Sequence, residues 1–252
     1  MIDIKRIKSN LGDFWKDIIL LEEVSSTNDV LRGLVEEAEE KKGVKEGLVV
    51  IAACQTQGRG RHGRGWISPR GGAWFSILLR PDMKPEEGGR LSILIGVAVA
   101  ESLKRWLDLP IGVKWPNDLV LNQRKLGGIL IESKVEDRMR WAIAGVGVNV
   151  NNSPDLNTAI SLKEEIKREI PLEDFFAVVL GGIEREYKTL KEEGFDPIRK
   201  KWQELSKLQD QVKIHYKGRV FQAHVLGLSS RGELIVRTDD RIEFIGDATV
   251  KG

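Results

Sequence analysis

The densest chemistry in this chain lies in nine residues, Gly58-Arg59-Gly60-Arg61-His62-Gly63-Arg64-Gly65-Trp66, which hold three arginines and four glycines and end on a tryptophan. Guanidinium groups present flat donor forks that grip phosphate or carboxylate through paired hydrogen bonds. Glycines at this density let the main chain turn tightly and approach a ligand closely. No Asp or Glu occurs between Glu46 and Asp82, whereas Arg59, Arg61, Arg64, Arg70 and Arg80 all do. The stretch is a local field of one sign and reads as an anion site. Gly-Arg repeats also occur in disordered RNA-binding tails, but apolar strand-like runs at 48–53 and 73–79 bracket this one. That setting favours an ordered small-anion site over nucleic acid, with a merely solvated loop last.

Four other places carry chemistry-bearing residues. Ser25-Ser26-Thr27-Asn28-Asp29 precedes Val30, Leu31, Leu34 and Val35 at helical spacing. It supplies helix caps, or equally hydroxyl and amide groups at a helix N-terminus that offers free N–H groups to a ligand. Lys114-Trp115-Pro116-Asn117-Asp118 ends an apolar run at 111–115. A lysine there either meets an anion or extends to water, and Asp118 is either a functional carboxylate or an Asx cap beside Asn117. Gly127-Gly128, inside the second strand of an expected hairpin, implies a bulge or a close backbone approach. Asn149 and Asn151 share one face of a strand expected over 141–150, and either shape the following turn or present an amide to a base or ribose.

The elements that must position these groups follow from periodicity. Residues 1–16 predict a short amphipathic helix and 17–24 a strand, and 36–46 a charged, helix-ending segment with Gly43 and Gly47 as breaks. Residues 91–107 are apolar nearly all round, which predicts a buried helix. Residues 119–121 and 125–132 predict a β-hairpin. From 162 to 208 the pattern is helical, with one helix through Phe175, Val179, Ile183 and Tyr187 and a shorter one around Ile198, Trp202 and Leu205. Short alternating strands at 211–216, 219–227, 233–237 and 241–245 then predict a small β-barrel-like module, with the boundary at 206–210.

Composition bounds the answer. The 252 residues suit one substantial domain and a small accessory one. Forty basic and 38 acidic residues give a net charge of +2, which argues against a protein defined by global attraction to DNA or membrane. The single cysteine, Cys54, leaves no intrachain disulfide and reads as a small core thiol in a reducing cytosol. Three scattered histidines argue against a structural zinc site. The N-terminal residues show no signal-peptide pattern, and the longest apolar stretch is too short for a bilayer. These features predict a soluble cytoplasmic protein.

Taken in order, Ser26-Thr27-Asn28, Gln55, the Gly58–Gly63 arginine loop with Arg64 and Trp66, Lys114-Trp-Pro-Asn-Asp, Lys125-Leu-Gly-Gly-Ile-Leu and Gly145-Val-Gly-Val-Asn-Val-Asn resemble the biotin–protein ligases. The resemblance runs from about residue 20 to the C-terminus. It implies an α+β fold: a mixed-sheet catalytic domain of the biotin/lipoate ligase type over 1–207, then an SH3-like β-barrel over 208–252. It implies that biotin and MgATP give biotinyl-5′-AMP and pyrophosphate, and that biotin then passes to one lysine of a biotin carboxyl carrier protein. Ser26, Thr27, Asn28, Gln55, Gly58, Gly60, Gly127 and Gly128 would hold biotin. Lys114 would also serve biotin, Arg59, Arg61 and Trp66 biotin and the adenylate together, and Arg64, Asn117 and Asn149 the nucleotide. Lys114, Arg59 and Asp118 would be catalytic, with no protein metal site and Mg²⁺ carried by the ATP phosphates. His62 stands where relatives often have arginine and is given no role. The few residues before Ser26 leave no room for the helix-turn-helix domain of repressor-type relatives, so no operator binding is expected, while a homodimer remains open. Cys54 is the one candidate nucleophile for the alternative, an octanoyl- or lipoyl-transferring relative.

Overall fold

Along residues 49–52 successive side chains enter different cores: Val49 and Ile51 join one hydrophobic cluster, Val50 another. The same two-residue alternation separates Phe75, Ile77 and Leu79 from Leu78, and Ala142 and Ala144 from Trp141 and Ile143. Strands that bury both faces need cover on both sides. The computed structural model describes residues 2–15, 17–39, 44–154, 157–239 and 241–251, and it supplies that cover.

In chain order the elements are α1 (Ile4–Lys8), β1 (Ile18–Val24), α2 (Thr27–Glu39), β2 (Val49–Gln55), β3 (Ala73–Leu79), α3 (Gly89–Leu107), β4 (Gly112–Lys114), β5 (Asp118–Leu121), β6 (Arg124–Val135) and β7 (Met139–Val148). Helices α4 (Leu162–Ile166), α5 (Leu172–Glu193) and α6 (Asp196–Leu205) follow. The chain ends in β8 (Gln211–Tyr216), β9 (Arg219–Leu228), β10 (Leu234–Arg237), β11 (Ile242–Ile245) and β12 (Thr249–Lys251).

The first seven strands form one sheet in the order β1-β2-β3-β7-β6-β5-β4. β1 and β2 run parallel, as the crossover helix α2 between them requires, and every other pair is antiparallel. Helix α2 covers one face through Leu31 and Val35, while α3, α5 and α6 bury the larger core on the other. The last five strands form a second, antiparallel sheet, β11-β10-β9-β8-β12. This is the expected α+β arrangement with a small SH3-like C-terminal sheet.

The two sheets share one apolar core: Val212, Ile214, Leu234 and Val236 belong to the cluster around α3 and α5. Polar ties reinforce the junction. Trp115 Nε1 donates to Gly232 O at 3.1 Å and Arg90 Nε to Ser230 O at 2.6 Å.

Three sequence expectations change. β7 stops at Val148, so Asn149 and Asn151 lie in the following loop rather than on a strand face. Asn149 N still donates to Leu126 O at 2.9 Å, the last bond towards β6, and the chain leaves the sheet after it. The C-terminal module has a fifth strand, Thr249–Lys251, too short to show alternation in sequence. The helical stretch after 162 also begins with a separate turn, α4, capped by Ser161. Residues 40–43 of the expected helix-ending segment lie outside the described residues. Among the described residues no helix is long and apolar enough to cross a membrane.

Candidate active site

β1 feeds directly into α2, and Ser26, Thr27 and Asn28 at that junction are all buried. Capping alone does not account for them. Thr27 N–H is satisfied by a distant side chain, donating to Gln55 Oε1 at 2.9 Å, with Thr27 Oγ1 3.2 Å from the same oxygen. Gln55 is oriented in turn by donating from Nε2 to Ser68 Oγ at 2.8 Å. Beneath them Ser76 of β3 places its hydroxyl 2.7 Å from Thr27 Oγ1 and 2.6 Å from Asn28 Oδ1. Asn28 Nδ2 donates to Glu132 Oε2 at 2.5 Å. The result is a fixed polar network with donors and acceptors but little net charge at the ligand-facing end.

The face of the sheet beside this network is kept low by glycine. Ser76 pairs across to Gly145, which pairs on to Leu130, and Gly147 pairs with Gly128. A Cβ on Gly145 would lie 2.4 Å from Asn28 Oδ1, and one on Gly147 would lie 2.7 Å from Trp66 Nε1. The Trp66 indole therefore rests on bare backbone, edge-on to Trp74 with centroids 6.4 Å apart, and the Lys125 ammonium lies 5.1 Å over its ring. Trp66 Nε1 is buried with no hydrogen-bond partner among the described residues. An unmade bond of this kind costs about 1–3 kcal/mol, which a ligand acceptor would offset.

The arginine loop is a small hairpin closed by its own backbone. Trp66 N donates to Gly58 O at 2.8 Å and Gly60 N to Arg64 O at 2.7 Å, around a 3₁₀ turn at Arg61–Gly63 in which His62 takes φ 56°. Gly58 is required there, because a Cβ would lie 2.4 Å from Trp66 O.

The three arginines then part. Arg59 makes a two-pronged bond to Asp29, Nη1 to Oδ2 at 2.7 Å and Nη2 to Oδ1 at 2.5 Å, and approaches Glu132 at 3.3 Å. The bond to Arg59 holds the Asp29 carboxyl below its ordinary 3.8, and the same bond raises Arg59. Arg61 turns inward to Asn117 Oδ1 at 3.3 Å and pairs with Asp247 of the C-terminal sheet. Burial lowers the pKa of Arg61. Arg64 stays exposed at the rim, donating from Nε to Arg61 O at 3.4 Å.

The β4–β5 hairpin forms the opposite wall. Lys114 and Asp118 face each other in register, and the Trp115–Pro116 peptide between them is cis. Asn117 locks the turn to β6: its Nδ2 donates to Ile129 O at 2.8 Å and its O accepts from Ile129 N at 2.9 Å. Asp118 is paired with Lys125 Nζ at 2.6 Å.

These groups line one cleft of about 310 Å³, whose outer wall is Ala248, Thr249 and Val250 of the second sheet. It is neutral and hydrogen-bonding at the Ser26–Gln55 end, and cationic at the Arg61, Arg64 and Lys114 end.

Thirteen of the sixteen expected site residues border the cleft: Ser26, Thr27, Asn28, Gln55, Arg59, Gly60, Arg61, Arg64, Trp66, Lys114, Asn117, Asp118 and Gly128. Gly58, Gly127 and Asn149 do not. Gly58 shapes the loop, and a Cβ on Gly127 would meet Gly147 O at 2.5 Å, so its absence serves sheet pairing. Asn149 is buried and its Oδ1 accepts from Asn152 Nδ2 at 2.9 Å. Cys54 is half-buried outside the cleft, its Sγ 3.5 Å from Glu22 O and Glu23 Oε2. Desolvation raises its pKa, the opposite of what a nucleophilic thiol needs. Sequence reasoning missed Asp29, Ser76, Glu132, Lys125 and Asp247. Only Asp29 and Lys125 carried a hint, since both stand inside the quoted motifs without having been given a role. Among the described residues no group of three or more His, Cys, Asp or Glu is placed to hold a metal ion.

A mixed sheet with this cleft defines a class. Residues 20–149 match the Biotin/lipoate A/B protein ligase family, and the chain belongs to that family. More particularly, it is 32% identical over 235 residues to the bifunctional ligase/repressor BirA of Bacillus subtilis, covering 89% of this chain and 72% of that protein. It is 31% identical over 170 residues to the biotin–[acetyl-CoA-carboxylase] ligase of Paracoccus denitrificans, covering 64% of this chain and 71% of that one. Its fold matches the biotin protein ligase of Aquifex aeolicus in complex with biotin and ATP at a TM-score of 0.78 and 30% identity, covering 94% of this chain and 99% of that one.

Proposed function

We propose that this chain is a biotin–protein ligase: it activates biotin with MgATP to biotinyl-5′-AMP and transfers the biotinyl group to a lysine of a biotin carboxyl carrier domain of a carboxylase. The observation that carries the reading is the polarity of this cleft. A neutral hydrogen-bonding end suits a cyclic urea, and a cationic end suits a carboxylate meeting a triphosphate.

In this reading Thr27, Asn28 and Gln55 hold the ring, while Trp66 on its glycine floor covers the alkyl tail. The carboxylate oxygen attacks the α-phosphorus as the bond to pyrophosphate breaks. Both reactants are anions, so the barrier is largely electrostatic, and fixed donors lower it most. Lys114, Arg61 and Arg64 are the cations at hand. Mg²⁺ enters with the ATP phosphates and offsets their charge. The acceptor amine then attacks the acyl carbon, AMP leaves, and the amine proton passes to a base; Asp118 is the nearest carboxylate of the cleft once Lys125 yields. Residues 1–207 form the catalytic unit in this reading, and residues 208–252 close the cleft through Asp247 and Ala248. The enzyme acts in the cytosol.

Mass spectrometry of a purified biotin carboxyl carrier domain, incubated with the protein, MgATP and either biotin or lipoate, tests the reading. One ATP-dependent biotinyl increment on one lysine is expected. A lipoyl increment would move the substrate, and no increment with either would end the assignment.

A further inference from the structure

We propose that Glu132 is a positioning residue that sets the direction of a buried hydrogen-bond chain, and through it the donor–acceptor pattern that the cleft shows to the ring of its substrate. The inference rests on the function proposed above. Four side chains stand in a row. Asn28 Nδ2 is 2.5 Å from Glu132 Oε2, Ser76 Oγ is 2.6 Å from Asn28 Oδ1, and Thr27 Oγ1 is 2.7 Å from Ser76 Oγ. Ser76 is fully buried and Thr27 and Asn28 nearly so, which keeps bulk water from rearranging the row.

A carboxylate only accepts hydrogen bonds. Glu132 also receives Arg32 at 2.8 Å and Arg59 at 3.3 Å, so it sits as an anion between two cations. Asn28 must turn its NH₂ towards it, which aims the Asn28 oxygen at Ser76. Ser76 has one proton, and the Asn28 oxygen takes it. The 2.7 Å contact with Thr27 is then a hydrogen bond only if Thr27 donates. Gln55 Oε1 loses nothing by this, because it already accepts from Thr27 N–H at 2.9 Å.

Every donor in the row therefore points towards Glu132. Thr27 is the open end and lines the cleft with lone pairs only. It can accept an N–H from a ligand and cannot donate to one. A cyclic urea supplies ring N–H groups. A cyclic carbamate of the same shape, with oxygen in place of one N–H, sets oxygen against oxygen at that point. Glu132 does not border the cleft, so it acts through Asn28 and Ser76.

The test is ATP–pyrophosphate exchange with biotin and with the two carbamate analogues in which one ring N–H is replaced by oxygen. In Glu132→Gln the new amide can donate to Asn28 as well as accept, so the chain can run either way. The preference for biotin over the better carbamate should shrink about tenfold or more, chiefly because kcat/KM for the carbamate rises. General loosening lowers both substrates and cannot raise one. Ser76→Ala, which cuts the row between Asn28 and Thr27, should narrow the same preference, and it decides alone if Glu132→Gln does not fold. An unchanged preference, or equal loss on both substrates, overturns the inference while wild-type exchange on biotin leaves the functional reading standing. Wild-type protein without biotin-dependent exchange overturns both.

Discussion

Arg59 and Asp29 face each other through two hydrogen bonds, at 2.7 and 2.5 Å, from the arginine loop to the first turn of α2. The pair fastens the loop to the helix that carries Thr27 and Asn28. It also commits the guanidinium of Arg59 to protein contacts. Asp29 is held below its ordinary 3.8 by that bond. A depressed folded value means the contribution to stability is complete above 3.8 and is lost as pH falls through the folded value. Asp29→Asn should therefore flatten the acid limb of the stability curve below that value, read by denaturant unfolding on either side of it. An acid limb as steep as wild type would show that Asp29 does not contribute.

Lys114→Ala should sharply slow adenylate formation and leave the fold intact. Removing one preorganised donor at a developing charge lowers kcat by about 10²–10³-fold. Biotin-dependent ATP–pyrophosphate exchange reads it directly. Near wild-type exchange would remove Lys114 from the reaction.

The floor of the cleft gives a steric prediction. A Cβ at Gly145 would lie 2.4 Å from Asn28 Oδ1, itself held at 2.6 Å by Ser76. Overpacking of this kind costs about 1–3 kcal/mol. Gly145→Ala should raise the KM for biotin by about tenfold, the equivalent of 1.4 kcal/mol, with a smaller change in the KM for ATP. Equal effects on both would point to general damage instead.

Arg61 is half-buried and held by Asp247 and, at 3.5 Å, by Ala248 O, so the second sheet closes over the loop through this residue. Asp247→Ala leaves Arg61 without that counter-charge, and Arg61→Ala removes the contact altogether. Both should let the adenylate escape, seen as biotin appearing on lysines of bystander proteins. Retention equal to wild type in both variants would show that the contact does not seal the cleft.

The amino-acid sequence by itself determined most of the strands, the α2 junction and the arginine loop, because each is written in neighbouring residues: a period of two, a period of 3.6, and the steric freedom of glycine. Through its resemblance to the biotin–protein ligases it also placed Ser26–Asn28, the loop and Lys114–Asp118 in one site. Only the tertiary structure decided what holds them. Ser76 and Glu132 look in sequence like an ordinary serine and an ordinary strand-end glutamate, and Asp247 like a turn residue. Each acquires its role from register, since Ser76 lies beside Gly145 and the Asn28 contact reaches across 104 residues to Glu132. Asn149, quoted within a motif, takes its place in the loop from the end of β7 at Val148, and there its oxygen accepts from Asn152 Nδ2. Local pattern fixes which elements form, but which faces meet is set by pairing between distant strands, and that distance is not visible in any short stretch of sequence.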